Sequence, residues 1–128
     1  MSRNDEIDAV FARIVALKAD ALIVTTDAVF QSLREPLVAA AINHRVPAIW
    51  GSRTQSQAGG LASYGTNVGE MYRLAGNYVG RVVKGEKPAD LPVQQPTKFE
   101  FVLNLRTARA IGLDVSATLL ARADEVIE

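Results

Sequence analysis

The chain contains no cysteine, which excludes disulfides, thiolate metal sites and a cysteine nucleophile. It has one histidine, His44, so multi-histidine metal clusters are excluded and any serine–histidine relay would have to use that residue. Neither sign of charge is in excess. Fourteen basic side chains balance 14 acidic ones, and the basic residues form no run of five, so nothing draws the chain toward nucleic acid or an anionic membrane surface. No apolar run approaches the roughly 20 residues of a transmembrane helix. The N-terminus, "MSRNDEIDAVF", is polar and acidic where a signal peptide has a basic start, an apolar centre and a cleavage site, so the sequence as it stands is expected to stay in the cytoplasm. There is no Gly-x-Ser-x-Gly elbow, no phosphate loop ending in Gly-Lys-Ser/Thr and no dinucleotide fingerprint.

What is present is the composition of one ordinary globular domain: 128 residues, 48% apolar and 22% charged, enough to bury a core. Ile7, Val10, Phe11, Ile14 and Leu17 recur at helical spacing and predict an amphipathic helix over 4–18. "ALIVTT", 21–26, is a short β-branched run of the kind buried on both faces in a parallel sheet. Ser32 and Glu35 have capping-box spacing for a helix from Leu33 to His44, and "VPAIW" is a second short strand. "GSRTQSQAGG" reads as a loop or one helical turn, and "LASYG" as a weakly patterned third strand.

Asn67 or Thr66 then caps a helix over 68–84 that Gly85 closes. Its Val68, Met71, Tyr72, Ala75, Val79 and Val82 form an apolar face, while Gly69, Gly76 and Gly80 line one flank. Interior glycines cost about 1 kcal/mol each against alanine, which points to close approach of another backbone along that flank. The proline-punctuated stretch 85–96 is the best linker candidate. "KFEFVLN" alternates Phe99, Phe101 and Leu103 against Lys98, Glu100 and Asn104, a strand with one solvated face and an apolar face in the core. Asn104 caps a short helix stopped by Gly112, and Ser116 caps a last helix to about Ile127. Helices alternating with short buried strands imply an α/β fold: a three-layer, mostly parallel sheet flanked by helices.

Two places carry candidate ligand chemistry. Thr25, Thr26 and Asp27 follow the carboxyl end of a parallel strand, where open α/β sheets bind ligands; the alternative for Asp27 is a turn and capping role. Ser63, Tyr64 and Gly65 place a hydroxyl and a phenol between a strand and a helix N-terminus, whose free N–H groups suit a carboxylate; the alternative is a tight turn alone. Acidic residues at helix starts, such as Asp5 and Asp8, read as solvated faces. No metal, cofactor or catalytic residue is expected.

A family resemblance joins these pieces. The strand "DALIV", the helix ending "HRVPAIW", and above all "GEKPADLPV", "QPTKFEFVLNLRTA" and "LLARADEVIE" resemble the C-terminal part of ABC transporter substrate-binding proteins of the tryptophan and tyrosine-like group, with the type I periplasmic binding fold. The resemblance covers essentially all of the chain. It implies a non-enzymatic, two-lobed receptor that closes on a small amino-acid-like or aromatic solute and docks on an ABC permease. It also implies a periplasmic location, since family members are exported, often as lipoproteins. On that pattern, residues 1–58 belong to the C-terminal lobe, 59–85 form a crossover segment and helix, and 86–128 hold the return strand and C-terminal helices. Thr26, Asp27, Ser63, Tyr64 and Gly65 are then ligand contacts at the interlobe cleft, Asp27 receiving an amino group and the Gly65–Thr66 backbone a carboxylate. The family's N-terminal lobe and signal segment have no counterpart in these 128 residues. The apolar helix face should therefore seek cover in a homodimer, with exchange through Gly85 to Pro96 as one route. Two rival readings are a small α/β enzyme or regulator using the Ser63–Tyr64 loop, and a self-associating remnant without ligand.

Overall fold

The computed structural model describes residues 3–128; Met1 and Ser2, the start of the polar N-terminus, lie outside the described residues. Three parallel strands, β1 (Leu22–Val24), β2 (Ala48–Trp50) and β3 (Ala62–Thr66), lie side by side in chain order. Beyond β3 comes β4 (Phe99–Asn104), antiparallel to it, and then β5 (Glu125–Ile127), parallel to β4. The helices are α1 (Arg3–Ala16), α2 (Ala28–Ser32), α3 (Arg34–Asn43), α4 (Arg53–Gln57), α5 (Val68–Val83), α6 (Leu105–Ile111) and α7 (Ala117–Arg122). The fold is α/β, a mostly parallel sheet flanked by helices.

Strand residues alternate between two faces, and the register carries that alternation across the sheet. Leu22 and Val24 share a face with Ala48 and Trp50, next to Ser63 and Val102. That face is covered: Phe11 of α1 and Val38, Ala40 and Ala41 of α3 close over Ala48 and Trp50 in one cluster. The other face carries Ile23, Ile49, Ala62, Tyr64, Phe99, Phe101 and Leu103. Ala62 and Leu103 are buried, but near the carboxyl ends of β1–β3 the face opens: Ile23 is 76% exposed, Tyr64 55% and Phe99 51%. So β1 is half-buried on one face and exposed on the other, and Val10 and Leu17 of the predicted α1 stripe are also exposed.

Further expectations are corrected. Ser32 does not cap α3. It ends α2, its hydroxyl donating 2.8 Å to the Val29 carbonyl, and α3 begins after Leu33 with no side-chain cap. Strand β4 lacks a solvated face at its carboxyl half, where Val102, Leu103 and Asn104 are all buried; Asn104 donates to the Ser56 carbonyl at 3.2 Å and caps α6 through Thr107 N. The last helix stops at Arg122 because Asp124 is fixed to β4: its N–H donates to the Phe101 carbonyl at 2.8 Å and its carboxylate accepts from Phe101 N at 2.7 Å. The residues that follow therefore extend the sheet as β5. The polar stretch after Gly51 forms α4, whose cap is Ser52.

Helix α5 forms where the sequence predicts it, capped by Asn67, with Gly85 in the left-handed region at φ 108°. Its salt link Glu70–Arg73 holds the Glu70 carboxyl below its ordinary range, chiefly through the hydrogen bond from Arg73. None of its residues is buried, and a methyl group at Gly76 or Gly80 would meet nothing within 4 Å. The close backbone approach expected along that flank does not occur among the described residues. After the short 3-10 turn Pro88–Asp90, the segment 91–98 returns along α5, with Tyr78 Oη donating 2.5 Å to the Pro92 carbonyl. Helix and strap together make an arm.

Stability should therefore reside in the covered face. Phe11→Ala is expected to cost about 3–5 kcal/mol, and Val83→Ala, on the arm, to change stability by no more than about 0.5 kcal/mol; urea unfolding followed by circular dichroism measures both.

Candidate functional site

Past the carboxyl ends of β1–β3 the chain forms an open groove of about 530 Å³. Its floor is backbone. Gly51, just after β2, and Gly65, in β3, approach so closely that a methyl on Gly65 would collide with the Gly51 carbonyl oxygen, and one on Gly51 with the Thr26 hydroxyl. Both positions thus need glycine for space rather than for conformational freedom. Thr26 Oγ1 donates to the Gly51 carbonyl at 3.4 Å, tying the β1–α2 turn to the floor. Ile23, Thr25 and Ile49 line the groove on the β1–β2 side, and Tyr64, Thr66 and Phe99 on the β3–β4 side. The Tyr64 and Phe99 rings are stacked, their centroids 5.6 Å apart and planes 11° from parallel. None of the described lining residues is charged.

The five predicted contacts divide. Thr26, Tyr64 and Gly65 line the groove. Asp27 does not: its carboxylate caps α2, accepting from Val29 N at 2.7 Å. Ser63 is 1% exposed and, in register with Trp50 and Val102, sits on the covered face, where its hydroxyl has no hydrogen-bond partner. Gly65 and Thr66 belong to the β3–β4 ladder, opposite Glu100 and Phe99; the free N–H groups of α5 begin after Asn67. The sequence pattern places Phe99 and Ile23 in the interior, and the pairing register shows them on the open face. A second cleft of about 360 Å³ lies between α5 and the strap, lined in part by Glu70, Met71 and Lys98, away from the ends of β1 and β2. Chemically, the groove offers aromatic and aliphatic surface, hydroxyls and backbone. It offers no acid–base pair. Among the described residues, no group of three or more His, Cys, Asp or Glu side chains is placed to hold a metal ion.

Comparisons with known proteins agree with this architecture. The family model for ABC transporter substrate binding proteins matches residues 2–127. A solved ABC domain in complex with L-Trp from Streptococcus pneumonia is 27% identical at a TM-score of 0.83, over 97% of this chain and 43% of that one. A conserved domain protein from Vibrio cholerae O1 biovar eltor is 24% identical at 0.85, over 96% of this chain and 41% of that one. The ligand-free, open structure of a substrate binding protein with adhesive properties from Clostridium difficile is 21% identical at 0.67, over 99% and 42%. The chain thus spans less than half the length of each. No curated protein matches it significantly.

The glycine floor yields a paired test. Gly65→Ala should destabilise the chain by about 1–3 kcal/mol through overpacking against Gly51. Gly76→Ala, on the open flank of α5, should stabilise its helix by up to about 1 kcal/mol. Chemical unfolding of the two variants beside the parent reads both signs.

Proposed function

The chain belongs to the family of ABC transporter substrate binding proteins, and we propose that it carries one wall of such a receptor's solute cleft, with the groove beyond β1–β3 as that wall. The family and its structural neighbours are substrate-binding proteins, not enzymes. The observation that carries the reading is the stacked Tyr64–Phe99 pair, half exposed at a strand-end groove that has no charged lining. A half-exposed aromatic face of this kind favours offset or edge-to-face packing by another ring. The solute class is therefore a small molecule with an aromatic ring, in keeping with L-Trp bound to the 27%-identical domain. Thr26, Tyr64, Gly65 and Phe99 touch the solute. Asp27 and Ser63 act behind them, one shaping the β1–α2 turn and the other within the α4 face. In a complete receptor the solute's charged groups fall to the facing lobe and to backbone N–H groups, docking is on an ABC permease, and the location is periplasmic.

The division of the chain follows the same reading: α5 and its strap are the crossover that belongs with the facing lobe, while the sheet is the C-terminal lobe. Surface area supports this. A compact monomer of 13.8 kDa exposes about 6,600 Å², whereas this chain exposes 8801 Å². The surplus of about 2,200 Å² is what one partner contributes to a large obligate interface. On its own, the chain covers that surface with a second copy.

Two measurements check these statements. In nitrogen–proton NMR titrations, aromatic amino acids should shift the Thr26, Gly51 and Gly65 amides with a Kd of about a millimolar, and Phe99→Ala or Tyr64→Ala should weaken binding by about 10-fold. Equal response to an aliphatic amino acid or to a nucleotide would remove the aromatic assignment. Light scattering should return about twice the 13.8 kDa chain mass; a monomeric mass with α5 still helical would remove the dimer.

A further inference from the structure

Asn67 stands where the chain leaves the sheet for the arm, and Glu100 where it has just returned. Asn67 uses both ends of its amide. Its oxygen accepts from Glu70 N at 3.0 Å, capping α5, and its nitrogen donates to Glu100 Oε1 at 2.7 Å. The other Glu100 oxygen lies 3.6 Å from Arg53 Nη1, and Arg53 in turn pairs with Glu125 of β5. The helix cap is thereby connected through Glu100 to α4 and to the far strand of the sheet. Capping alone does not call for an amide, since aspartate and serine cap as well; aspartate has no donor, and the amide places one within reach of the carboxylate opposite.

The mechanical setting gives this bond its weight. Helix α5 has 16 residues and no buried side chain, and the Tyr78–Pro92 bond lies within the arm itself. At its root, a second side-chain hydrogen bond runs from Thr66 Oγ1 to Met71 Sδ at 3.1 Å, a weak acceptor. A helix of this length is about 24 Å long, so each 10° of freedom at the root moves its tip by about 4 Å. The immediate neighbours of the pair are Thr66 and Phe99, which face each other across the β3–β4 ladder and line the groove.

We infer that Asn67 and Glu100 form a lock at the junction of arm and sheet, Asn67 being a positioning residue that sets both the angle of α5 and the spacing of the Thr66–Phe99 rim. The second consequence rests on the groove being the solute site; the first does not.

The absence of cysteine allows a direct test. Cysteines introduced at Val83, 80% exposed on the arm, and at Ala39, exposed on α3, carry spin labels, and labelled chain is diluted in unlabelled chain so that only distances within one copy are read. The parent should give one narrow distance distribution. Asn67→Asp keeps the cap but sets two carboxylates against each other, and should broaden the distribution by about 4 Å or more; Asn67→Ser, a cap too short to reach Glu100, should do the same. Asn67→Asp combined with Glu100→Gln restores a hydrogen bond of reversed polarity and should narrow it again. Circular dichroism confirms that α5 stays helical in each. A parent-like width for Asn67→Asp, or no recovery in the double variant, overturns the lock. For aromatic solutes the single variants should weaken binding by about 3- to 10-fold, with recovery in the double variant. Distances that respond while affinity does not uphold the lock and refute the groove as the solute site.

Discussion

Trp50 is the largest fully buried side chain, and the direction in which it points decides much of the molecule. Its indole lies against Gly60, where a methyl group would come within 2.8 Å of the ring, so neither partner has room to shift. Because strand residues alternate, seating Trp50 on the face beneath α1 and α3 places its neighbour Ile49 on the other face, and the register carries the same choice to Ile23, Tyr64 and Phe99. A slip of one residue would exchange the two faces. Core and groove are therefore not separate achievements of the sequence. They are the two sides of one register.

The covered face is less oily than that suggests. Where α4 meets the sheet, Gln55, Ser56 and Ser63 are almost wholly buried, and Gln55 Oε1, the two serine hydroxyls and Trp50 Nε1 have no partner within the described chain. Each such group costs about 1–3 kcal/mol if nothing meets it. Hydrogen bonds from both sides offset this in part: Asn104 holds the α4 backbone, and the Thr107 hydroxyl donates to the Gly59 carbonyl at 2.5 Å. The consequence is a short polar helix kept in place by specific bonds rather than by area, directly behind the glycine floor.

How much of this was legible depended on whether the determinant was local. Asn104 and Gly112 bracket α6 as their side-chain and φ preferences dictate, Asn67 caps α5, and Phe11 anchors the α1 face. Those features need only a few neighbouring residues. Phe99 shows the limit. Alternation in "KFEFVLN" separates two faces without saying which is covered, because the answer comes from α1 and α3, far away in sequence. Ser32 and Glu35 fail as a capping box for the same kind of reason, since Asp27 has already started a helix five residues earlier. The amphipathic pattern of α5 holds as a pattern, yet among the described residues only the strap lies along the helix, and none of the helix's residues is buried. Amphipathicity states a demand for a partner and does not supply one.

If the groove is the wall of a solute cleft, as proposed, that demand and the open groove have a common physical origin. A wall that takes up and releases a solute cannot be buried by its own lobe, so the residues that serve it must be tolerated in water whenever the site is empty. Full burial of a large apolar side chain is worth about 1.5–3 kcal/mol. One open wall removes about half of a ring from water, which after the loss of translational freedom leaves an affinity no stronger than about millimolar. Useful affinity therefore requires a second wall, and two walls that must admit a solute require a moving joint. A chain that contains one wall should thus contain part of a joint as well; the β3–α5 and strap–β4 connections, running side by side between sheet and arm, fit that requirement, with the Asn67–Glu100 bond setting the angle at which the joint rests. Exposed Tyr64 and Phe99 and an unburied α5 look like defects if the chain is judged as a closed globule. For a cleft that opens and closes, they are the surfaces that have to stay uncovered.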